Sequence, residues 1–325
     1  MASHEGWVVC LGEMLIDQVV DAQGRRQHFP GGAPANVAVA LARLGVPTAF
    51  VGAIGDDSHG SELTTVLRTH GVDCRGLQVC DAPTRVVEVR CDAGGDRHFG
   101  GFIGGHTTTF ADAQLAASPL AALPWSSIPA LVTGTLGLAA PVTRAAMQAA
   151  GTAVQAWGGK LIIDVNWRPT FWPEPTQAIA IMQPWLRRAD LIKVAVDEAI
   201  ALFQTNQIAA LAATFPDAHI LLTDGDRGCQ YRVGDWIGEV PAFAVNAVDT
   251  TGAGDACLAG LVYQWGQQGW QWKDAAQVAR AVQFANAMGA LTTRQPGAIA
   301  AQPSRAQLRD FLRAETGEEW AIGEV

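Results

Sequence analysis

Short apolar runs alternate with longer stretches of helix formers through the middle of the chain, and this rhythm leaves very few folds open. Residues 130–133, 161–165, 191–194 and 220–223 have the length of buried strands. Residues 142–157, 179–187, 198–203 and 208–215 read as helices. Strands separated by helices return parallel to one another, and a parallel sheet has to be covered on both faces. The N-terminal part adds strands at 7–11 and 48–53, and helices at 34–44 and 61–70. Pro34 suits the first turn of its helix, Val37, Leu41 and Leu44 share one side, and Gly45 suits the stop. The expected class is α/β, a mostly parallel central sheet with helices on both faces.

A second rhythm interrupts the first. Residues 15–20 read as a strand, 85–90 alternate in polarity, 92–96 make a turn and 97–102 return, so 84–102 is a hairpin. With residues 15–29 it makes a small antiparallel sheet standing off the main body, either a lid or a plain edge hairpin. Residues 230–240 read as two short antiparallel strands, and helices follow Asp255 and span 274–291 and 304–313. With no internal repeat and no long linker, residues 1–325 form a single domain, the accessory sheet coming from about 13–30 and 84–105.

In open parallel sheets ligands gather beyond the C-terminal ends of the strands. Asp164-Val165-Asn166-Trp167-Arg168, Lys193, Thr223-Asp224-Gly225 and residues 249–255 all read as following strands, so they converge on one edge. The last of these is Asp249-Thr250-Thr251-Gly252-Ala253-Gly254-Asp255, a small-residue turn running into a helix. The unpaired amides of a helix N-terminus and the helix dipole together suit an anion, and glycines let it come close. Asp255 is then either a partner of the helix dipole or a carboxylate with a chemical task.

The net charge of −9 argues against a basic nucleic-acid-binding face. Lysine occurs only at 160, 193 and 273, so arginine is the expected side-chain contact for phosphate. Cysteines at 10, 74, 80, 91, 229 and 257 show no Cys-x-x-Cys pair and read as reduced residues. The polar start, residues 1–6, shows no signal peptide, and no apolar run reaches the roughly 18 residues of a membrane span. A soluble cytoplasmic protein with no nucleic-acid or membrane partner is expected.

The familiar nucleotide signatures are missing. There is no Gly-x-x-x-x-Gly-Lys-Ser/Thr, and Gly252-Ala253-Gly254 meets Cys257 where a dinucleotide fingerprint has its third glycine. No histidine pair has metal-ligand spacing, His98 and His106 reading as surface residues, and no Gly-x-Ser-x-Gly elbow occurs. What remains is an anion cradle followed by a carboxylate, with Asp17 and Asn36 near a second glycine turn. Phosphoryl transfer to an alcohol needs both halves, donors for the migrating charge and a base for the hydroxyl proton.

Two segments carry a family resemblance. Gly31-Gly32-Ala33-Pro34-Ala35-Asn36-Val37-Ala38 resembles the first signature of the PfkB/ribokinase carbohydrate kinases, and 249–255 resembles the second. Gly12-Glu13-Met14-Leu15-Ile16-Asp17, Asp164-Val165-Asn166-Trp167-Arg168 with Trp172-Pro173, Phe284-Ala285-Asn286-Ala287, Gly289-Ala290-Leu291 and Gly297-Ala298-Ile299 resemble the fructokinase branch. The resemblance implies a ribokinase-like fold with Asp255 as catalytic base and Gly252, Ala253 and Gly254 as anion hole. It implies sugar contacts at Asp17, Gly32 and Asn36, and a sugar or phosphate contact at Arg168. Thr223, Gly225 and Gly228 match the nucleotide-phosphate loop, and Asn286 falls beside the adenine pocket. Lys193 and Glu198 are grouped with these nucleotide-side residues. Asp249 and Thr251 fall where some members hold a monovalent cation, often potassium. Members use ATP with Mg²⁺, and many pair as homodimers through the lid.

Two departures stand out. The Asn-x-x-Glu motif of the family reads Ala195-Val196-Asp197-Glu198 here, and the glycine-rich Phe99-Gly100-Gly101-Phe102-Ile103-Gly104-Gly105-His106 replaces Arg-x-Pro-x-Ala-Asp. The implied reaction is ATP-dependent phosphorylation of D-fructose at the 6-hydroxyl. 2-Keto-3-deoxygluconate, ribose or a nucleoside is the alternative acceptor, and a non-catalytic sugar-binding homologue is the alternative class.

Overall fold

The computed structural model describes residues 6–21, 23–91 and 97–323. From the N-terminus come β1 (Val8–Leu11), β2 (Leu15–Val20), β3 (Arg26–Gly31), α1 (Ala33–Arg43), β4 (Thr48–Gly55), α2 (Ser58–Thr69) and β5 (Asp73–Cys80). A second hairpin follows, β6 (Val86–Cys91) and β7 (Arg97–Ile103). Next are β8 (Ala130–Thr133), α3 (Pro141–Ala156), β9 (Lys160–Asp164), α4 (Ala178–Leu186), β10 (Leu191–Ala195), α5 (Val196–Phe203), α6 (Ile208–Thr214) and β11 (His219–Thr223). The chain closes with β12 (Cys229–Val233), β13 (Trp236–Val240), α7 (Ala253–Gln267), α8 (Ala275–Thr292) and α9 (Arg305–Thr316).

Nine strands form one sheet in the order β13-β12-β11-β10-β9-β8-β1-β4-β5. All neighbours from β5 to β11 are parallel, and β12 and β13 add an antiparallel edge. Along β1, Val8 and Cys10 face one core and Val9 and Leu11 the other, the period-two alternation of a strand covered on both sides. The first core holds apolar residues of α1, α2, α7, α8 and α9, and the second those of α3, α4, α5 and α6. Each fully buried Leu or Val contributes about 1.5–3 kcal/mol. The chain winds outward from β1 to β5, then crosses back to β8 and proceeds the other way. That reversal beside β1 opens a crevice at the strands' C-terminal ends.

β5 is a strand that the sequence does not announce. It opens Asp73-Cys74-Arg75-Gly76, and its half-exposed edge position leaves neither an apolar run nor a clean alternation. The accessory sheet has the order β3-β2-β6-β7. Its two hairpins are antiparallel as expected, but they join through a parallel pair, Ile16 opposite Val86 through Val20 opposite Arg90. The reason is topological: β2 follows β1 and β6 follows β5, and both leave the parallel sheet heading the same way. The expected turn at 92–96 and the polar start at 1–5 lie outside the described residues. Among the described residues no helix is long and apolar enough to cross a membrane. Cys10, Cys74, Cys80, Cys229 and Cys257 are free thiols.

Candidate active site

A cavity of about 1040 Å³ occupies the crevice, and every residue to which the sequence assigns a catalytic, sugar, nucleotide or cation role lines it. Asp17 and Val19 of β2 and Val87 and Val89 of β6, alternate residues of adjacent strands, give it one wall. The opposite wall comes from the ends of β9, β10 and β11 and from the start of α7.

At α7 the local sequence dictates an open N-terminus. Gly252 is the N-cap residue in a left-handed conformation, φ 79°, and it supplies no side-chain cap. A Cβ there would lie 2.7 Å from that of Ala298. The Ala253 amide donates to Thr250 O at 3.2 Å, so Gly254 and Asp255 carry the first-turn amides that lack an intrahelical acceptor. A Cβ on Gly254 would lie 2.8 Å from Lys193 Nζ, which places an ammonium group directly against this turn.

Asp255 reaches the cavity from that first turn. Asn36 Nδ2, in α1, donates to its Oδ2 at 2.7 Å. Burial, then the charge of Asp164, pushes the Asp255 pKa up to about 6, against the pull of Lys193, the Asn36 hydrogen bond and Arg168. Lys193 Nζ sits 3.0 Å from both oxygens of Asp164, and both side chains are buried. Burial alone would lower the lysine pKa, but Asp164, Glu198 and Asp255 hold it above the ordinary range. A permanent cation therefore lies beside a carboxyl group that changes charge near neutrality.

Glu198 is committed to the backbone. Its Oε2 accepts the Ala195 amide at 2.9 Å, and its Oε1 accepts the Trp167 amide at 2.7 Å, with Arg168 Nη1 at 3.5 Å. This brace holds the turn at Asn166, whose φ of 39° is unusual for a residue other than glycine. Arg168, its side chain 56% exposed, is left reaching into the open cavity. Thr223 ends β11, and Gly225 and Gly228 flank the tight turn behind it. Asn286 is fully occupied: its Nδ2 donates to Val240 O and Pro241 O at 3.1 Å each, and its Oδ1 accepts from Cys229 and Cys257. It shapes the wall by fixing the segment after β13.

Two expectations of position need correction. Lys193 lies within β10, not after it, and Asp249 does not follow a strand, since β13 ends at Val240 and the intervening residues are irregular. Asp249 is placed instead by its own carboxylate. Its Oδ1 accepts from the Thr251 amide and hydroxyl at 3.0 and 2.6 Å, and its Oδ2 from the Gly297 amide at 2.9 Å. Glu13 is a site residue to which sequence reasoning gave no role. It is 4% exposed, its Oε1 accepts the Ala33 amide at 3.2 Å, and its Oε2 has no partner. It replaces the cap that Gly32 cannot provide for α1, and burial pushes its pKa up to about 8. Only a buried acid beside a capless helix would have marked it, and neither is visible in one sequence.

Residues 7–305 match the pfkB family carbohydrate kinase model. The chain belongs to that family of carbohydrate kinases, and its ribokinase-like fold is the expected one. It is 36% identical over 326 residues to fructokinase-1 of Zea mays, covering 96% of this chain and 99% of that protein. The structure of fructokinase with bound ATP from Xylella fastidiosa superposes with a TM-score of 0.86 at 27% identity, covering 96% of this chain and 99% of that one. Fructokinase from Vibrio cholerae O395, in its fructose-, ADP- and calcium-bound form, gives 0.82 at 31% identity, covering 95% and 100%.

Proposed function

We propose that this chain is an ATP-dependent fructokinase, converting D-fructose to fructose 6-phosphate and releasing ADP. The observation that carries the reading is Asp255, hydrogen-bonded by Asn36 and set beside the open amides of α7 at the floor of the large cavity. The fructokinase relatives support fructose as the acceptor.

Fructose lies against the accessory sheet, with its hydroxyls on Asp17, Asn36 and the Gly32 turn, and Arg168 at the rim. Asp255 accepts the proton of the 6-hydroxyl as that oxygen bonds to the γ-phosphorus, and the bond from the γ-phosphorus to the bridging oxygen of ADP breaks. The amides at Gly254 and Asp255, with the Lys193 ammonium, hold the negative charge of the migrating group. The Ala253 amide, spent on Thr250, contributes least. The nucleotide extends past Thr223, Gly225 and Gly228 toward the Asn286 wall. No cluster of three acidic, histidine or cysteine side chains with metal-holding geometry occurs among the described residues. A magnesium ion carried on the nucleotide would need only one or two protein carboxylates with waters. Such an ion would supply neutralisation of phosphate charge. Asp249 and Thr251 are the assigned neighbours of a potassium ion.

The four-stranded sheet acts as a lid that excludes water, the competing acceptor. Its exposed Phe99 and Ile103 suit pairing with a second copy. The free cysteines suit the cytoplasm. The test is ADP release from a panel of sugars. Fructose should rank first, and Asp255→Asn should keep sugar binding while losing about 10²–10⁴-fold in turnover. Another sugar ranking first overturns the acceptor, and near-normal turnover in the variant removes Asp255 from the chemistry.

A further inference from the structure

Two thiols that the transfer chemistry does not use sit side by side in the cavity wall. Cys229 opens β12 and Cys257 lies on α7, two residues beyond Asp255. Both are 5% exposed, and both line the cavity next to Asn286. Their sulfurs lie 2.8 and 3.9 Å from the same atom, Asn286 Oδ1, so they are no farther apart than those two lengths end to end. Both thiols donate to that one oxygen, which gathers them at a single point of the wall. Cys74 and Cys80 lie on the edge strand β5 and do not line this cavity.

We propose that Cys229 and Cys257 form a dithiol modification site for thiophilic reagents that take two sulfurs at once, trivalent arsenicals being the class, and that its occupation closes the nucleotide end of the cavity. Soft sulfur ligands select soft acceptors, and two thiols already gathered on one amide oxygen lose little freedom when one atom joins them. The neighbouring Cys257 and burial hold the Cys229 pKa well above the ordinary thiol range, so that thiol rests protonated. A reagent of the form R–As=O suits that state. Two As–S bonds form, the arsenic–oxygen bond breaks, and the oxygen leaves as water with both thiol protons. Nothing is oxidised. The bridging atom and its substituent occupy the wall where the nucleotide rests. Asn286 Oδ1 also loses both donors, which loosens its hold on the carbonyls of Val240 and Pro241. The closure, unlike the capture, rests on the nucleotide lying at this end.

Phenylarsine oxide added to the full chain tests both parts, with intact mass and ADP release read together. The expected result is one adduct per chain, with activity lost in step. A dithiol such as 2,3-dimercaptopropanol should reverse it and a monothiol should not. ATP should slow capture. Cys229→Ser and Cys257→Ala should each abolish the adduct, with melting temperatures confirming that both fold, whereas Cys74→Ser and Cys80→Ser should keep it. Adducts that persist in both single variants, or none in the parent, overturn the dithiol site and leave the kinase reading standing. Capture at these two residues with no effect of ATP overturns the closure and the placing of the nucleotide.

Discussion

Removing the Asn36 amide should move the pH dependence of the reaction by a readable amount. Asn36 Nδ2 donates to Asp255 Oδ2 at 2.7 Å, a bond that favours the charged carboxylate. Hydrogen bonds to charged groups contribute about 1.5–3 kcal/mol, and one pH unit is worth about 1.4 kcal/mol. Losing this bond in Asn36→Ala should therefore raise the Asp255 pKa by roughly one to two units. The parent value is about 6, set by burial and Asp164. A base must be unprotonated to act, so kcat falls as pH drops through that value. The acid limb should stand near 6 in the parent and at roughly 7 to 8 in the variant, with kcat recovering on the alkaline side. The assay is ADP release at saturating ATP and fructose, because Asn36 is also assigned to the sugar and a KM effect would obscure the limb. An acid limb that coincides with the parent's would refute the coupling between these two side chains.

Other outcomes follow from the same geometry. Glu13 has a pKa raised from 4.5 to about 8 in the folded chain, so the native state holds a proton that the unfolded state has lost. Stability should decline as pH rises across that window, by up to about 1.4 kcal/mol per unit. Glu13→Gln, which keeps an acceptor for Ala33, should melt above the parent at the alkaline end, with the gap closing toward the acid end; an equal gap at both ends refutes the buried acid. Arg85 is 3% exposed, paired with Asp112 at 2.8 Å and packed against Phe102, Phe110 and Phe171. Arg85→Ala should cost about 3–5 kcal/mol in denaturant melts, and adding Asp112→Ala should return part of it. A double variant no better than the single contradicts the ion-pair explanation. Lys193→Met should leave Asp164 uncompensated beside Asp255, raising the acid limb and lowering kcat at neutral pH. A limb that moves down instead reverses the sign of the electrostatics.

The parallel body was legible because each of its strands is apolar on both faces and bounded by helix signals. β5 was not, since an edge strand with Asp73 and Arg75 satisfies no pattern. The residues of the cavity were legible as short motifs, but how each is occupied was not. Ala253 was grouped with the anion hole, and its amide is used by Thr250. Asn286 and Glu198 are read as nucleotide-side residues; in the structure Glu198 accepts two backbone amides, and Asn286 donates to two backbone carbonyls and accepts from two thiols. Such assignments depend on partners remote in sequence, and spacing along one chain carries no record of them. Cys229 and Cys257 looked like two more core cysteines for the same reason.

The Asn36–Asp255 bond spans 219 residues, and all nine strands of the main sheet are complete by Val240. During synthesis the chain therefore finishes its scaffold before it makes the residue assigned to the chemistry. Until α7 and α8 emerge, the face that will hold Cys10, Val132 and Leu221 against them lies uncovered. A chain ended near residue 245 would display a full sheet with the part of one apolar side that α7, α8 and α9 cover left open to water, the kind of surface that chaperones bind and that aggregates when they do not. The same delay gives the cell a protection. No fragment short of the last third can bring Asn36 and Asp255 together, so an unfinished chain can consume neither sugar nor nucleotide.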